Sequence, residues 1–205
     1  MKVTLVQETN NPIETISKIA SICYDSNPAD PMKLVNHLYK SGHHSVFEHI
    51  YFTFKIEGIS RACSHQLVRH RMCSFTQRSQ RYCNESDFDV VLPPSMDDDI
   101  AYFEYNDVLL DIRQGYANLT NLKVPKEDTR YILPNACCTD LYLSCNLREL
   151  IHICNERLCS RAQWEIRELV KKMVALVDPN LKFMLVPKCK SGRIICNSPC
   201  KSKGE

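Results

Sequence analysis

The sequence predicts an α+β fold, mainly an antiparallel sheet packed with helices in a single domain. Three observations carry this. The stretch "IYFTFKIEG" alternates, with Ile50, Phe52, Phe54 and Ile56 on one side and Tyr51, Thr53 and Lys55 on the other, the period of a half-buried strand. A second strand is written in "TDLYLSCN", residues 139–146. Around these lie segments whose apolar residues recur every three or four positions, the helical period. Neither a repeat nor a linker divides the 205 residues, too short a chain for two full-sized domains.

Pro12, behind Asn10 and Asn11, opens a first helix capped by Asn, along which Ile13, Ile16, Ile19, Ala20 and Cys23 share a face. A second starts near Pro31 with Leu34, Val35 and Leu38 together, and Gly42 ends it. In "GHHSVFEH", Ser45 and Glu48 have capping-box spacing. Beyond the strand at 50–56, Ser60 caps a short helix through Arg69, and the chain then reads as an extended loop. "DFDVVLPP" predicts another strand. A long helix covers roughly 95–119, a shorter one begins at Pro125, and two more run over roughly 147–158 and 161–177. Residues 1–187 make the domain, and 188–205 read as a mobile, cysteine-bearing tail.

Hydrophobic content of 44% and charged content of 24% are ordinary for a soluble globular protein. No apolar run approaches the roughly 20 residues that cross a bilayer, and the start "MKVTLVQETNNP" has no signal-peptide pattern, which places the chain in the cytoplasm. The net charge of +2 weighs against a nucleic-acid binder, which carries a basic excess across its domain. Twelve cysteines without a C-x-x-C read as reduced thiols used as small core residues, plus the tail. Cys189, Cys196 and Cys200 offer three thiols at irregular spacing, a weaker case for zinc. His43, His44 and His49, near Glu48, follow no metal-helix pattern. No metal is expected.

Charge is concentrated locally. Arg61, Arg69, Arg71, Arg78 and Arg81 lie between Gly58 and Asn84 with no Asp, Glu or Lys among them. Guanidinium forks pair bidentately with phosphate or carboxylate, so the stretch points to an anionic, planar-edged ligand. Ser79 within it is either a donor to phosphate oxygen, the favoured role, or a nucleophile with His70 as base. On the helix from Leu147, an apolar stripe of Leu147, Ile151, Cys154 and Leu158 is flanked by Arg148, His152 and Asn155. That second stripe is either a solvated face or a binding face, and Asn146 before it either an N-cap or a contact.

Arg69-His70-Arg71, seven residues, then Ser79, with Arg81-Tyr82 behind, resembles the motif of the flavin-dependent thymidylate synthases. "GHHSVFEH", "HQLVRHR", "RYILP" and "NLRELIHICNERLCSRAQWEIR" are similar to further elements of that family, in the right order over about residues 32–185. Arg161 stands where the family often has His, and Val46 replaces a common proline. The resemblance implies FAD as cofactor, dUMP, NADPH and methylenetetrahydrofolate as substrates, and a homotetramer with active sites shared between subunits. It implies FAD contacts at Ser45, Arg69, His70, Arg71, Gln77, Asn146, Leu147, Arg148 and His152. It implies dUMP contacts at Gln66, Leu67, Val68 and Arg69, at Gln77, Arg78, Ser79, Gln80 and Arg81 from a neighbouring subunit, and at Arg130 and Arg157. Arg157 is then the catalytic residue, and no cysteine takes part. A rival class, a single-strand RNA-binding module using the Arg/His/aromatic loop, is disfavoured by the low charge.

Overall fold

The computed structural model describes residues 1–23, 25, 28–192 and 196. At its centre is a four-stranded antiparallel sheet of β1 (Lys2–Glu8), β2 (Tyr51–Ser60), β3 (Ser74–Gln77) and β4 (Cys138–Asn146), in the order β1-β2-β4-β3. Seven α-helices accompany it among the described residues: α1 (Pro12–Ser21), α2 (Pro31–Ser41), α3 (Arg61–Leu67), α4 (Asp99–Asn121), α5 (Lys126–Thr129), α6 (Leu147–Arg157) and α7 (Trp164–Leu176). The α+β class stands. Most of the expected tail, Cys200 included, lies outside the described residues. Lys188–Lys190 form one turn of 3-10 helix that packs against α6.

The alternation of β2 does what its period dictates. Phe52, Phe54 and Ile56 are wholly buried, and opposite them on β4 stand Cys145, Leu143 and Leu141. One core joins this face to Ile16 of α1, Val35 of α2, Ile153 of α6 and Met173 of α7. Burying each such side chain contributes about 1.5–3 kcal/mol, so the β2–β4 face anchors the fold.

Two strands escape the sequence pattern. In β1, Val6 is exposed and the pairing slips between Leu5 and Gln7, so a bulge interrupts the alternation. β3 has only four residues and lies inside the expected loop. Conversely, "DFDVVLPP" yields only an isolated bridge between Val90 and Cys137, since Pro93 and Pro94 cannot lengthen a ladder.

Caps were partly legible. Ser60 accepts from Cys63 N at 3.0 Å, and Gly42 takes the left-handed conformation (φ 83°) past α2. At α1, by contrast, the Asn11 side chain caps nothing; the residue sits left-handed (φ 45°) and its carbonyl accepts from Thr15 N. Ser45–His49 is a 3-10 turn without a side-chain cap, because Glu48 turns to pair with Arg148 instead. α3 stops at Leu67 rather than Arg69. Ser60 and Glu165, both buried, join the β2–α3 corner to α7: Glu165 accepts from Ser60 N at 2.7 Å and from its hydroxyl at 2.5 Å.

Candidate active site

Strand β4 runs directly into α6, and this junction builds the site. Asn146 caps the helix, accepting from Glu149 N at 2.9 Å. Helical spacing then seats Leu147, Leu150, Ile151 and Cys154 in the core and presents Arg148, His152 and Asn155 to a pocket of about 630 Å³. The pocket is closed from the other side by His44, Glu48 and Met72. The Arg148 and Glu48 side chains form an ion pair in its wall. Asn155 is buried, donates to Ile151 O at 2.9 Å, and leaves its Oδ1 buried with no partner. An unpartnered buried acceptor costs about 1–3 kcal/mol, which a donor from a ligand in the pocket would recover.

Behind the pocket lies His70, 5% exposed, on the turn that follows α3. Its Nε2 receives the Arg157 Nε–H at 3.0 Å. An arginine can only donate, so Nε2 is the acceptor and Nδ1 carries the proton. Nδ1 in turn faces Glu149 Oε1 at 3.5 Å. The ring of His152 stands edge-on to that of His70, 5.5 Å between centroids. His70, Glu149 and His152 bring ligand atoms within 4.8 Å of one another, a spacing that could hold a metal ion. Here both ring nitrogens of His70 already have partners, and Glu149 has the histidine. Arg157 also donates from Nη2 to Gln66 O at 3.3 Å, tying the end of α6 to α3.

The arginine stretch divides in space. Arg69 and Arg71 are exposed and make no ion pair among the described residues. Arg78, however, meets the buried Glu85 at 3.5 Å, and Arg81 meets Glu127 at 2.9 Å. The stretch is free of acids in sequence but not in the fold. Burial pushes the Glu85 carboxyl up, against the pull of Arg78 and Arg61. Arg130 also leans on this spot, donating to Glu127 O at 3.0 Å.

The remaining expected contacts are scattered around these two groups. Gln77 is pinned to Ser64 and Thr139 (3.0 and 3.2 Å), and Gln80 reaches Cys137 Sγ at 3.7 Å. Ser79 Oγ accepts from Arg81 N at 3.2 Å, which leaves its O–H able to donate. Ser45 and Val68 are exposed, Gln66 is half-buried, and the side chains of Leu67 and Leu147 are wholly buried, so those two leucines have only main chain to offer a ligand. Sequence reasoning passed over Glu149 and named Asn155 only within a stripe left open between a solvated and a binding face. In sequence Glu149 reads as an ordinary residue three past an Asn cap, and only the shared spacing with Arg148 and His152 pointed to Asn155.

Residues 4–181 match the family model described as thymidylate synthase complementing protein. The flavin-dependent thymidylate synthase of Clostridium tetani is 36% identical over 94% of this chain and 89% of its own. That of Pyrococcus furiosus is 42% identical over 85% of this chain and 78% of its own. A crystal structure of thymidylate synthase X from Helicobacter pylori, with FAD and dUMP, has the same fold: TM-score 0.76, 23% identity, covering 93% of this chain and 99% of that one. This helix-flanked antiparallel sheet is thus a known fold. The chain belongs to the thymidylate synthase complementing protein family, whose relatives above are named flavin-dependent thymidylate synthases.

Proposed function

We propose that this protein methylates dUMP reductively to dTMP, with methylenetetrahydrofolate as one-carbon donor and FAD, reduced by NADPH, as hydride carrier. The observation that carries the proposal is the pocket presented by Arg148, His152 and Asn155, with its unpartnered Asn155 Oδ1 and with His70 behind it. Those groups fit FAD: two cationic or polar donors for oxygen, an acceptor for a ring or ribose donor, and the exposed Arg69 and Arg71 for pyrophosphate. When bound, the flavin supplies hydride transfer, chemistry that no side chain offers.

The chain's own task is placement and charge. Adding a one-carbon unit at carbon 5 of uracil requires that carbon to become electron-rich, and charge then gathers on the N3–O2 edge. Arg157 is the guanidinium that stabilises it. Its Nε is held by His70 and one Nη by Gln66, so the fork is fixed before substrate arrives. Gln66, Leu67, Val68 and Arg69 border the same nucleotide from α3 and its turn.

Gln77 through Arg81, with Arg130, serve the dUMP of a neighbouring subunit in a homotetramer. Their different partners support this: Arg81 and Arg130 share Glu127, while Arg157 is engaged with His70 and Gln66. Helix α4 supports the assembly too. It turns Leu109 and Tyr116 inward, yet leaves Ile100, Phe103 and Leu110 59–74% exposed at heptad-like spacing. No helix among the described residues is long and apolar enough to cross a membrane.

The test is direct. Purified protein should be yellow, bleach with NADPH, and form dTMP from dUMP and methylenetetrahydrofolate. A colourless protein that neither binds added FAD nor forms dTMP would end the proposal.

A further inference from the structure

A second, smaller cavity of about 260 Å³ lies at the far end of α6, with Arg157 in its wall, and three cysteines line it: Cys159, Cys189 and Cys196. Local structure explains how they meet. α6 ends at Arg157, and the chain turns with Ala162 N donating to Cys159 O at 2.9 Å, which keeps Cys159 just past the helix end. The 3-10 turn Lys188–Lys190 packs on α6, with Lys188 Nζ 3.9 Å from Glu156 Oε1, and sets Cys189 in the lining of the cavity that Cys159 also lines. Seven residues further on, the chain brings Cys196 to the same wall. All three thiols are free. In sequence, Cys189 and Cys196 stood with Cys200 at irregular spacing, a weaker case for zinc, and Cys159, thirty residues before Cys189, was not counted with them. The fold supplies it.

We propose that Cys159, Cys189 and Cys196 bind a soft divalent cation, zinc by their donor type. Thiolates select zinc over harder ions, in a tetrahedral site whose fourth position goes to a donor outside these three. Each thiol gives its proton to solvent as its sulfur bonds the ion. Three thiolates on a dication leave one net negative charge, and Arg157, Arg161 and Lys188 on the same walls balance it. Among the described residues only His70, Glu149 and His152 already stand at ligand spacing, so the ion gathers the three sulfurs as it binds. Of the three, Cys159 and Cys196 are half-buried and Cys189 is exposed. Metal here clasps the segment after Pro187 onto the end of α6, next to the arginine that the proposed reaction depends on.

The experiment is a titration of the full, reduced chain with cobalt(II) chloride, followed by back-titration with zinc. Thiolate ligation gives a near-ultraviolet sulfur-to-cobalt charge-transfer band that histidine and carboxylate ligands cannot produce. One cobalt per chain with that band is expected, and zinc should abolish it. Cys159→Ser and Cys189→Ser should each lose the band and weaken zinc binding by more than the about 10–100-fold typical of losing a supporting contact. Circular dichroism checks folding, and Cys189→Ser, at an exposed position, carries the test if Cys159→Ser does not fold. Bound cobalt without a sulfur band, no cobalt binding at all, or a band undiminished in the folded variants overturns the proposal. Neither flavin nor dTMP enters the readout, so the outcome is separate from that of the proposed reaction.

Discussion

Arg157 donates its Nε–H to His70 Nε2 at 3.0 Å, across 87 residues of sequence. This bond joins the last residue of α6 to the middle residue of the Arg-His-Arg motif. By helical spacing alone, Arg157 stands on a different face of α6 from Arg148 and His152. The separation is only partial: Arg157 lines the smaller cavity, yet touches the histidine on which the ring of His152 rests.

Arg157→Ala should therefore lower dTMP turnover by about 10²–10³, the usual cost of losing such a donor. FAD binding and NADPH oxidation should remain measurable. Arg157→Lys should recover little, because an ammonium cannot hold His70 while presenting two parallel donors. Steady-state turnover at saturating dUMP checks both. Wild-type turnover in Arg157→Ala would remove the assignment altogether.

Glu149 acts one step further back, through His70. Gln in its place keeps the shape but loses the charge facing Nδ1, and an amide can present either a donor or an acceptor there. Turnover of Glu149→Gln should fall about tenfold, the effect of about 1.4 kcal/mol, as the carboxylate facing Nδ1 at 3.5 Å is lost. The pH profile of turnover should shift while the Michaelis constant for dUMP stays near wild type. An unchanged profile together with a raised Michaelis constant would assign Glu149 to binding rather than positioning.

Ser79 is expected to donate to the nucleotide's phosphate. One of its lone pairs holds Arg81 N, and its hydroxyl proton is free to donate to a phosphate oxygen, which can only accept. Removing a hydrogen bond to a charged group costs about 1.5–3 kcal/mol. Ser79→Ala should then raise the Michaelis constant for dUMP about ten- to hundredfold, with turnover surviving at saturation. A covalent uridylate adduct on Ser79, sought by mass spectrometry, would instead make it the nucleophile.

The parts of this molecule legible in sequence are those written locally. β2 shows its alternation, Ser60 and Gly42 mark helix ends, and Arg148, His152 and Asn155 recur at helical spacing. β1 was hidden because its bulge at Val6 breaks the alternation, and β3 because four residues carry no period. What stayed illegible is pairing across distance. Glu48 with Arg148, 100 residues apart, took the acid from the cap it was expected to make. Glu85, just outside the arginine stretch, neutralises Arg78 only once the chain turns back. The Glu149–His70–Arg157 chain needs α3 and α6 side by side, which no window of sequence contains.

The cysteines yield the last prediction. Burial pushes the Cys63 thiol up to about 12, with Glu165 adding to it and Arg157 opposing. Burial likewise pushes Cys138 up to about 11, helped by the charge of Asp89. Both ordinary values are 9.0. Neither thiol is a thiolate at neutral pH, so neither is a nucleophile. The same shifts set a direction for stability. A raised folded-state value means that the unfolded chain gives up its proton first as pH rises. The contribution of these thiols is thus complete below 9.0 and is lost progressively toward about 11 for Cys138 and about 12 for Cys63. Urea midpoints at about pH 8 and about pH 10 should fall for the wild type, and fall less for Cys63→Ala and Cys138→Ala, which have no thiol to titrate. Truncating the fully buried Cys63 lowers its midpoint at both pH values, so the informative quantity is the difference between them. Equal alkaline losses in wild type and both variants would show that these thiols titrate alike in the folded and unfolded chain.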